Sequence, residues 1–384
     1  MAPAAAPTDP PLPDEVMEDI FLRLDDAADL ARASVACKSF RRVVRGRRFL
    51  CRFRSLHPPP ILCLGSINRR AADGYFRPVE PPHRSASAAR ALVQAADFTF
   101  SFLPDPQSWF VRDARDGRVL LSRHITTARA LVQAADFTFS SPPDKMKFEP
   151  FLALACKDDE GLSFRVIYNV MSEYKVVTLV FSSVTEEWRH ATSNSFLPHR
   201  LIHDPTKLVR HCSRSCFYWA YRGNSTTYDN NMLVLDPLEM KFSVVAFLDK
   251  SVGDRLAIVD AGEDRLGILA FSNCYLKLDL YCKTWRNNVV CREDWQHYKT
   301  IPLPEHSCTW EICSVGTPEG YLLMRACPKF RLHPKELYFT LDLKTLLFER
   351  MYEPGHYVDF EPGHHVDFDL LYASFPPPLS PPSI

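Results

Sequence analysis

The sequence predicts an α+β multidomain protein, in which three short N-terminal helices precede an all-β domain whose favoured architecture is a β-propeller. Apolar residues recur at helical spacing from residue 12 to residue 44. From Ile61 to about Tyr352 the pattern changes to short runs rich in β-branched and aromatic residues, separated by Asp, Gly, Asn and Pro. Because no strong long helix separates these runs, they favour a sandwich, barrel or propeller over a parallel sheet.

The first helix is predicted to begin at Pro13, because the missing N–H of proline costs nothing in the first turn. Acidic residues at positions 14, 15, 18 and 19 suit the positive end of the helix dipole. An apolar stripe follows the 3.6-residue period, and we predict that it is buried. It consists of Val16, Met17, Ile20, Phe21 and Leu24.

Two further helices are predicted after this one. The second begins at Asp26 with Leu30 as its anchor, and the third begins at Ser34, a residue type suited to the N-cap. The third carries Phe40 on its apolar side, and the helical pattern continues until the prolines at 58–60 stop it. Three helices in about 40 residues bury little surface between themselves, so we expect a partner to cover the rest.

Four segments of this region resemble the F-box family: LPDE at 12–15, IFLRL at 20–24, DL at 29–30 and VACKSFR at 35–41. The resemblance implies docking onto a Skp-type adaptor and, through it, onto a cullin-based ubiquitin ligase. Phe40 departs from the family pattern, since many members carry Trp there. The residues that the resemblance assigns to adaptor binding are Leu12, Pro13, Ile20, Leu22, Leu24, Leu30, Val35, Cys37, Phe40 and Val43.

Pairs of apolar runs predict β-hairpins after residue 60. Turn residues such as Asp116 and Gly117 separate the members of a pair. The predicted pairs are 109–112 with 118–121, 165–169 with 175–181, 217–221 with 232–235, 242–247 with 256–259, and 266–271 with 275–281. Further strands are predicted at 321–325, 337–343 and 346–351.

A strand, a tight turn and a tryptophan recur in FSSVTEEW at 181–188 and more loosely in LDLYCKTW at 278–285. This fits propeller blades of about 40 residues, so that roughly 290 residues would form six or seven blades. The stretches 96–121, 164–188, 216–236 and 265–271 resemble the β-propeller domain that follows the F-box in many grass F-box proteins. The resemblance implies a non-catalytic substrate receptor whose propeller holds a protein target.

Two segments are duplicated within the chain. ARALVQAADFTFS at 89–101 recurs letter for letter at 128–140, which indicates a recent local duplication or a faulty gene model rather than two working blades. EPGHYVDF at 353–360 is followed by EPGHHVDF at 361–368. His and Asp suit a metal ion, but a repeated exposed turn is the favoured interpretation.

The Pro-rich segment 375–384 could form a polyproline helix that a partner recognises, although a disordered tail is the favoured interpretation.

Charge is balanced overall, with 46 basic and 46 acidic residues, which does not favour nucleic acid or membrane as a partner. Residues 32–54 nevertheless contain nine bases and no acid. A nucleic-acid-binding module that uses this basic helix is the alternative function, although a solvated helix face is the simpler interpretation. The sequence shows no signal peptide and no apolar run long enough to span a membrane, which predicts a protein of the cytosol or nucleus. In those compartments its 12 cysteines are expected to remain reduced.

Motifs for catalysis or cofactor binding are absent from the sequence, including phosphate-binding loops, nucleophile elbows and H-E-x-x-H. His190, His211 and Asp260 are interpreted as core or turn residues, and Cys212 and Cys216 lack the second pair that structural zinc needs. No catalytic residue, cofactor or metal is therefore predicted. An enzyme in the propeller channel is a third alternative, which inward-facing ionisable groups would indicate.

The predicted organisation has four parts. An N-terminal tail (1–11) precedes the F-box helical module (12–56), and a propeller-like recognition domain (60–352) precedes a repeat and Pro-rich tail (353–384).

Overall fold

The computed structural model describes residues 12–24, 27–57, 59–67, 69–73, 76–115, 117–123, 145–154, 163–195, 204–221, 231–246, 256–262, 264–272, 277–286, 289–290, 295–305, 307–313, 320–329, 336–352 and 369–374. Two compact units divide the chain, one of residues 1–60 with 374–384 and the other of residues 61–373. The first contains a helical module, and we refer to the second as the β domain. None of the described helices is long and apolar enough to span a bilayer.

The helical module has four described helices, one more than predicted. They are α1 (Asp14–Phe21), α2 (Ala27–Ala36), α3 (Lys38–Val44) and α4 (Arg47–Leu56). Helix α4 is the predicted continuation of the third helix, but Gly46 has ψ 123° and interrupts the helical backbone before it. The continuation is therefore a helix of its own.

The predicted N-cap at Ser34 is wrong. Ser34 lies inside α2, where its hydroxyl donates a hydrogen bond to the carbonyl of Ala31 at 2.7 Å. Helix α3 instead begins after Cys37, whose backbone is extended and whose Sγ accepts a hydrogen bond from the amide of Phe40 at 3.4 Å. Serine is a favoured N-cap residue and cysteine is not, which is why the N-cap was predicted at Ser34.

The core of the helical module is built mainly from aromatic side chains. Phe49 and Phe53 of α4 are fully buried, as is Leu30 of α2. Phe21 meets Phe40 edge to face, with ring centroids 5.2 Å apart. Such pairs contribute about 0.5–1.5 kcal/mol beyond the area that they bury, so the rings fix the helices to one another.

The β domain is a propeller with five blades in the described residues. Blade 1 contains β1 (Ile61–Gly65), β2 (Arg77–Pro78) and β22 (Leu370–Ala373). Blade 2 contains β5 (Lys147–Leu154), β6 (Phe164–Met171), β7 (Lys175–Ser182) and β8 (Glu187–Ser195). Blade 3 contains β9 (Leu208–Ser213), β10 (Cys216–Tyr221), β11 (Asn231–Asp236) and β12 (Lys241–Ala246).

Blade 4 contains β13 (Leu256–Asp260), β14 (Arg265–Phe271), β15 (Lys277–Arg286), β16 (Val289–Val290) and β17 (Gln296–Pro302). Blade 5 contains β18 (Cys308–Ile312), β19 (Tyr321–Pro328), β20 (Leu337–Asp342) and β21 (Phe348–Arg350). A two-stranded hairpin of β3 (Phe110–Arg115) and β4 (Arg118–Ser122) forms a sixth, smaller sheet. Six or seven full blades is thus an overestimate, because the chain between β2 and β3 forms helix α5 (Ala86–Ala95) and turns instead of strands.

Four of the five predicted hairpins are confirmed by the register of β3 with β4, β6 with β7, β10 with β11, and β14 with β15. The predicted pairing of 242–247 with 256–259 is wrong, because β12 pairs with β11 and β13 pairs with β14. These two segments belong to different blades. LDLYCKTW at 278–285 also differs from the prediction, since it lies within the single strand β15 instead of spanning a turn.

Blade 1 closes the ring with strands from both ends of the β domain. Strand β22 pairs antiparallel with β1, so that Ile61 lies opposite Ala373. Gly117 of the β3–β4 turn donates a hydrogen bond to the carbonyl of Ala373 at 3.1 Å. All four residues of β22 are buried. This strand lies within residues 353–384, predicted as a tail, and is part of the β domain because it completes the sheet of β1.

The first copy of the duplicated segment, residues 89–101, forms most of α5 and the turn that follows it. Phe98 and Phe100 of this copy pack against Phe76, with ring centroids 5.1 and 6.1 Å away. The second copy at 128–140 lies outside the described residues. So do the repeat at 353–368, the Pro-rich segment 375–384 and the N-terminal residues 1–11.

Candidate protein-binding surface

Five large apolar side chains are exposed in the described part of the helical module. One is Leu56 at the end of α4, and the other four lie in or next to α1 and α2. The exposed fraction is 56% for Leu12, 42% for Val16, 49% for Ile20 and 62% for Val35. Single apolar residues are common on protein surfaces, whereas several on one small helical unit indicate an interaction surface. We refer to these four residues as the exposed apolar set.

Three of the four follow helix α1. Leu12, Val16 and Ile20 are spaced four residues apart, so they follow one face of α1 and of the residues before it. Met17 and Phe21 of the same helix are buried in the core. The predicted burial of the entire α1 stripe is therefore wrong, because the helix is apolar on two adjacent faces and the core covers one of them.

The ten residues predicted to bind an adaptor differ in their exposure. Exposed are Leu12, Pro13, Ile20, Val35 and Cys37. Half-buried against the core are Leu24 and Phe40, and buried are Leu22, Leu30 and Val43. The buried residues support the module itself, whereas the exposed ones are available to a partner. Val16 is an exposed residue that the prediction missed, and its four-residue spacing from Ile20 could have identified it.

The basic region at 32–54 is partly neutralised by α1. Arg42 Nη2 lies 2.7 Å from Asp14 Oδ1, and Arg52 Nη1 lies 3.4 Å from Glu18 Oε2. Exposed ion pairs like these add little stability, but they remove positive charge from the face that nucleic acid would need. The phenylalanines of α3 and α4 pack into the core or against it, so they offer no platform for stacked bases.

Ionisable side chains are buried where the β3–β4 hairpin, blade 2 and blade 3 adjoin. Arg210 Nη2 lies 3.3 Å from Asp113 Oδ1, and Arg210 Nε lies 3.8 Å from Glu149 Oε1. Trp219 Nε1 donates a hydrogen bond to Glu149 Oε2 at 2.7 Å, and the amide of Leu152 donates one to Asp113 Oδ2 at 2.8 Å. We name Asp113, Glu149 and Arg210 the buried ion cluster.

The buried ion cluster has the properties of a structural link. Burial alone would raise the pKa of Glu149, but the cations of Lys147 and Arg210 hold that pKa below its ordinary value. Burial also lowers the pKa of the neighbouring His211 to about 4, so its imidazole is neutral at pH 7. A general acid needs a proton to give, and the ionised carboxylate of Glu149 has none. Both oxygens of that carboxylate lie against groups of other strands, Arg210 of β9 and Trp219 of β10, so the arrangement favours a structural link between strands.

The remaining sequence candidates lie apart from one another. His190 is exposed on β8, and Asp260 ends β13 with its Oδ1 3.1 Å from Arg214 Nη1. Cys212 and Cys216 lie on paired strands but point to opposite faces, because Cys212 is opposite Phe217, the neighbour of Cys216. Across the described ranges no group of three or more His, Cys, Asp or Glu is arranged to hold a metal ion.

Comparison with known proteins identifies the helical module. The F-box-like family matches residues 11–56, the part of the chain that contains the exposed apolar set and all four helices. An F-box-like domain thus precedes the five-bladed β domain. No functionally curated protein matches the chain.

Three of the solved structures that match the chain are distant likenesses. A post-proline cleaving enzyme from Rickettsia typhi is 9% identical at a TM-score of 0.30, over 57% of this chain and 30% of that one. The family 117 glycoside hydrolase Zg3597 from Zobellia galactanivorans is 9% identical at a TM-score of 0.28, over 51% of this chain and 61% of that one. The Cps50 (Swd1) β-propeller domain from Myceliophteria thermophila is 7% identical at a TM-score of 0.27, over 64% of this chain and 70% of that one. The chain spans less than two thirds of the first two proteins, and such low scores carry no argument about function.

Proposed function

We propose that this protein is the substrate-receptor subunit of an SCF-type ubiquitin ligase. The F-box-like module would dock a Skp-type adaptor and thereby a cullin, while the propeller would hold a target protein. The observation that carries this proposal is the exposed apolar set, which lies in a module that matches the F-box-like family. Covering each of these half-exposed side chains would contribute about 1 kcal/mol or more to binding.

In this proposal the protein contributes no catalytic residue, cofactor or metal. It accelerates ubiquitin transfer by holding the target close to the ubiquitin carried by other subunits, so the benefit is one of proximity and effective concentration. We expect it to act in the cytosol or the nucleus. The resemblance of the β domain to grass F-box proteins makes a plant origin part of the same proposal.

The alternative of a nucleic-acid-binding module has less support. Arg42 and Arg52, which lie in the basic region, form ion pairs with acidic residues of α1. A binding site for phosphates would need these cations free, because affinity for nucleic acid depends on neutralising several phosphates.

The adaptor interaction is tested with Leu12→Asp and Ile20→Asp in the full chain. Both side chains are about half exposed, so the fold should tolerate the change, whereas a carboxylate facing an apolar partner should weaken binding at least about tenfold. Affinity for a purified Skp-type adaptor is measured by isothermal titration calorimetry. Leu238→Asp, at a leucine of the β domain that is 53% exposed, is the matched control and should bind as wild type does.

Two results would contradict the proposal. One is a folded wild-type chain that does not bind the adaptor. The other is an Ile20→Asp variant that binds with wild-type affinity while its circular dichroism is unchanged.

A further inference from the structure

The loop at residues 97–109, between α5 and β3, carries a prominent aromatic side chain. Phe102 has 73% of its surface exposed, the largest fraction among the large apolar side chains of the described residues. An exposed phenylalanine loses the free energy that burial would provide, about 1.5–3 kcal/mol for a whole side chain. Single exposed apolar side chains are common on protein surfaces, so the exposure of Phe102 indicates a binding site only in combination with the structure of the loop that holds it.

Hydrogen bonds to one carboxylate fix the backbone before Phe102. Asp97 Oδ1 accepts from the amide of Thr99 at 2.9 Å, and Asp97 Oδ2 accepts from the amide of Ser101 at 2.7 Å. The hydroxyls of Ser101 and Thr99 donate to the same carboxylate and, with the amides, hold the pKa of Asp97 well below its ordinary value. Because the backbone of the loop is already held in place, binding a partner through Phe102 would cost the loop little conformational entropy.

The residue inside this turn attaches the loop to the β domain. Phe100 is buried, and its ring packs against those of Phe76 and Phe102, with ring centroids 6.1 and 6.2 Å away. The amide of Leu103 donates to the carbonyl of Phe100 at 3.0 Å and closes the turn. Phe102 thus protrudes from a base of buried aromatic rings.

Backbone strain distinguishes this loop from the other turns. Phe100 and Asp105 have φ values of 54° and 51°, in the left-handed region that non-glycine residues rarely adopt. The other described non-glycine residues with positive φ lie in turns between paired strands, where hairpin geometry requires that backbone. They are Glu186, Arg214, Ser215, Met240, Asp264 and Leu346. Strained backbone of this kind clusters at functional segments such as ligand clamps and switch regions.

A cation and a second aromatic ring contact the backbone of this loop at Pro104, two residues after Phe102. Trp109 Nε1 and Arg123 Nη2 both donate to the carbonyl of Pro104, at 3.1 and 3.3 Å. The guanidinium of Arg123 lies 5.0 Å from the centre of the Trp109 ring and is exposed. Aromatic residues and arginine are the types that contribute most to the affinity of protein interfaces.

We propose that Phe102 anchors a protein partner on the β domain. The chemistry of the loop specifies a partner with an apolar pocket for the phenyl ring and a carboxylate at the pocket rim for Arg123. This inference rests on the proposed receptor function, in which that partner is the ubiquitination target.

Site-specific cross-linking identifies the partner. The full chain is produced in cells with p-benzoylphenylalanine at position 102, and with the same probe at position 93 as a control on α5, where Val93 is 39% exposed. The cross-linked protein is then purified, and its dissociation constant is measured for the wild-type chain, Phe102→Ser and Val93→Ser. Serine is chosen as the replacement because it occupies the equivalent position of the duplication. Phe102 directly follows the first copy, and Ser141 directly follows the second.

We expect a partner that cross-links to position 102 and that Phe102→Ser binds about tenfold or more weakly, with Val93→Ser unchanged. No cross-link at 102, a cross-link only to a second copy of this chain, or equal binding by Phe102→Ser would each overturn the proposal. Adaptor affinity is measured on the same variants. If Phe102→Ser binds the target as wild type does and adaptor binding is intact, only the role of Phe102 as an anchor is rejected. If the wild-type chain fails to bind the adaptor, the receptor function is rejected.

Discussion

Burial makes His83, like His211, a residue of the β domain that links stability to pH. Its Nδ1 accepts a hydrogen bond from the amide of Ser85 at 3.2 Å, and its Nε2 lies 3.7 Å from Glu349 Oε2. Burial lowers the pKa of His83 to about 4, and the opposing effect of Glu349 is smaller. In an unfolded chain the pKa would be about 6.5.

The unfolded state therefore takes up a proton between pH 6.5 and about 4 that the folded state does not bind. The stabilising contribution is complete above pH 6.5 and is lost as the pH falls through this window, by up to about 1.4 kcal/mol per pH unit. We predict that His83→Asn, whose side-chain oxygen can still accept from Ser85, shows a smaller fall in unfolding free energy from pH 7 to pH 5. Urea unfolding followed by tryptophan fluorescence measures this, since all six tryptophans lie in the β domain.

The matched control is His190→Asn, at the exposed histidine of β8, which should keep the wild-type slope. If His83→Asn and wild type lose stability equally as the pH falls, His83 is not the group responsible.

At the scale of the element, closure of the propeller depends on β22. Leu370 and Leu371 are fully buried, and the strand joins β1 to the hairpin turn at Gly117. We predict that deleting residues 370–384 lowers the unfolding free energy of the β domain by about 3 kcal/mol or more, since buried leucines and their partners on β1 become exposed. Deleting only residues 375–384 should leave stability unchanged.

Urea midpoints of the two truncated chains provide the measurement. A chain that ends at residue 369 and unfolds at the wild-type midpoint would show that β22 does not close the ring.

The sequence predicted those elements whose residues carry a clear pattern. Alternating apolar residues and turn residues located the hairpins of β6 with β7 and of β10 with β11. The same pattern could not tell a hairpin inside a blade from the connection between two blades, which is why β12 and β13 were paired wrongly. Strand β17 was not predicted because its first five residues are all exposed. An outer strand needs few apolar residues, so it lacks the alternating pattern that identifies a strand.

The candidate surface was predicted in part for a related reason. Periodicity identified the apolar residues of α1, but it cannot show whether the chain or a partner covers them. Met17 is covered by the core and Val16 is not, although the two are neighbours. Phe102 gave no pattern at all, since its exposure depends on how Asp97 and Phe100 fix the turn before it.

At the scale of the whole molecule, the buried ion cluster links strands that are far apart in sequence. Asp113, Glu149 and Arg210 come from β3, β5 and β9, so no local pattern could predict their contact. We predict that Asp113→Ala lowers the unfolding free energy of the β domain by about 3 kcal/mol, because it leaves the buried Arg210 with less compensating charge. Adding Arg210→Met should restore part of the loss.

A double-mutant cycle from urea unfolding measures this coupling. If the effects of Asp113→Ala and Arg210→Met simply add, the two side chains do not stabilise the β domain as a pair.

The pairing of β1 with β22 also has a consequence for biosynthesis. A chain leaving the ribosome presents residues 61–65 as an open strand edge until residues 370–373 have been translated. The helical module is complete far earlier, after residue 56. The nascent chain thus offers a finished docking module while its propeller is still open, and chaperones that shield strand edges have that interval in which to act.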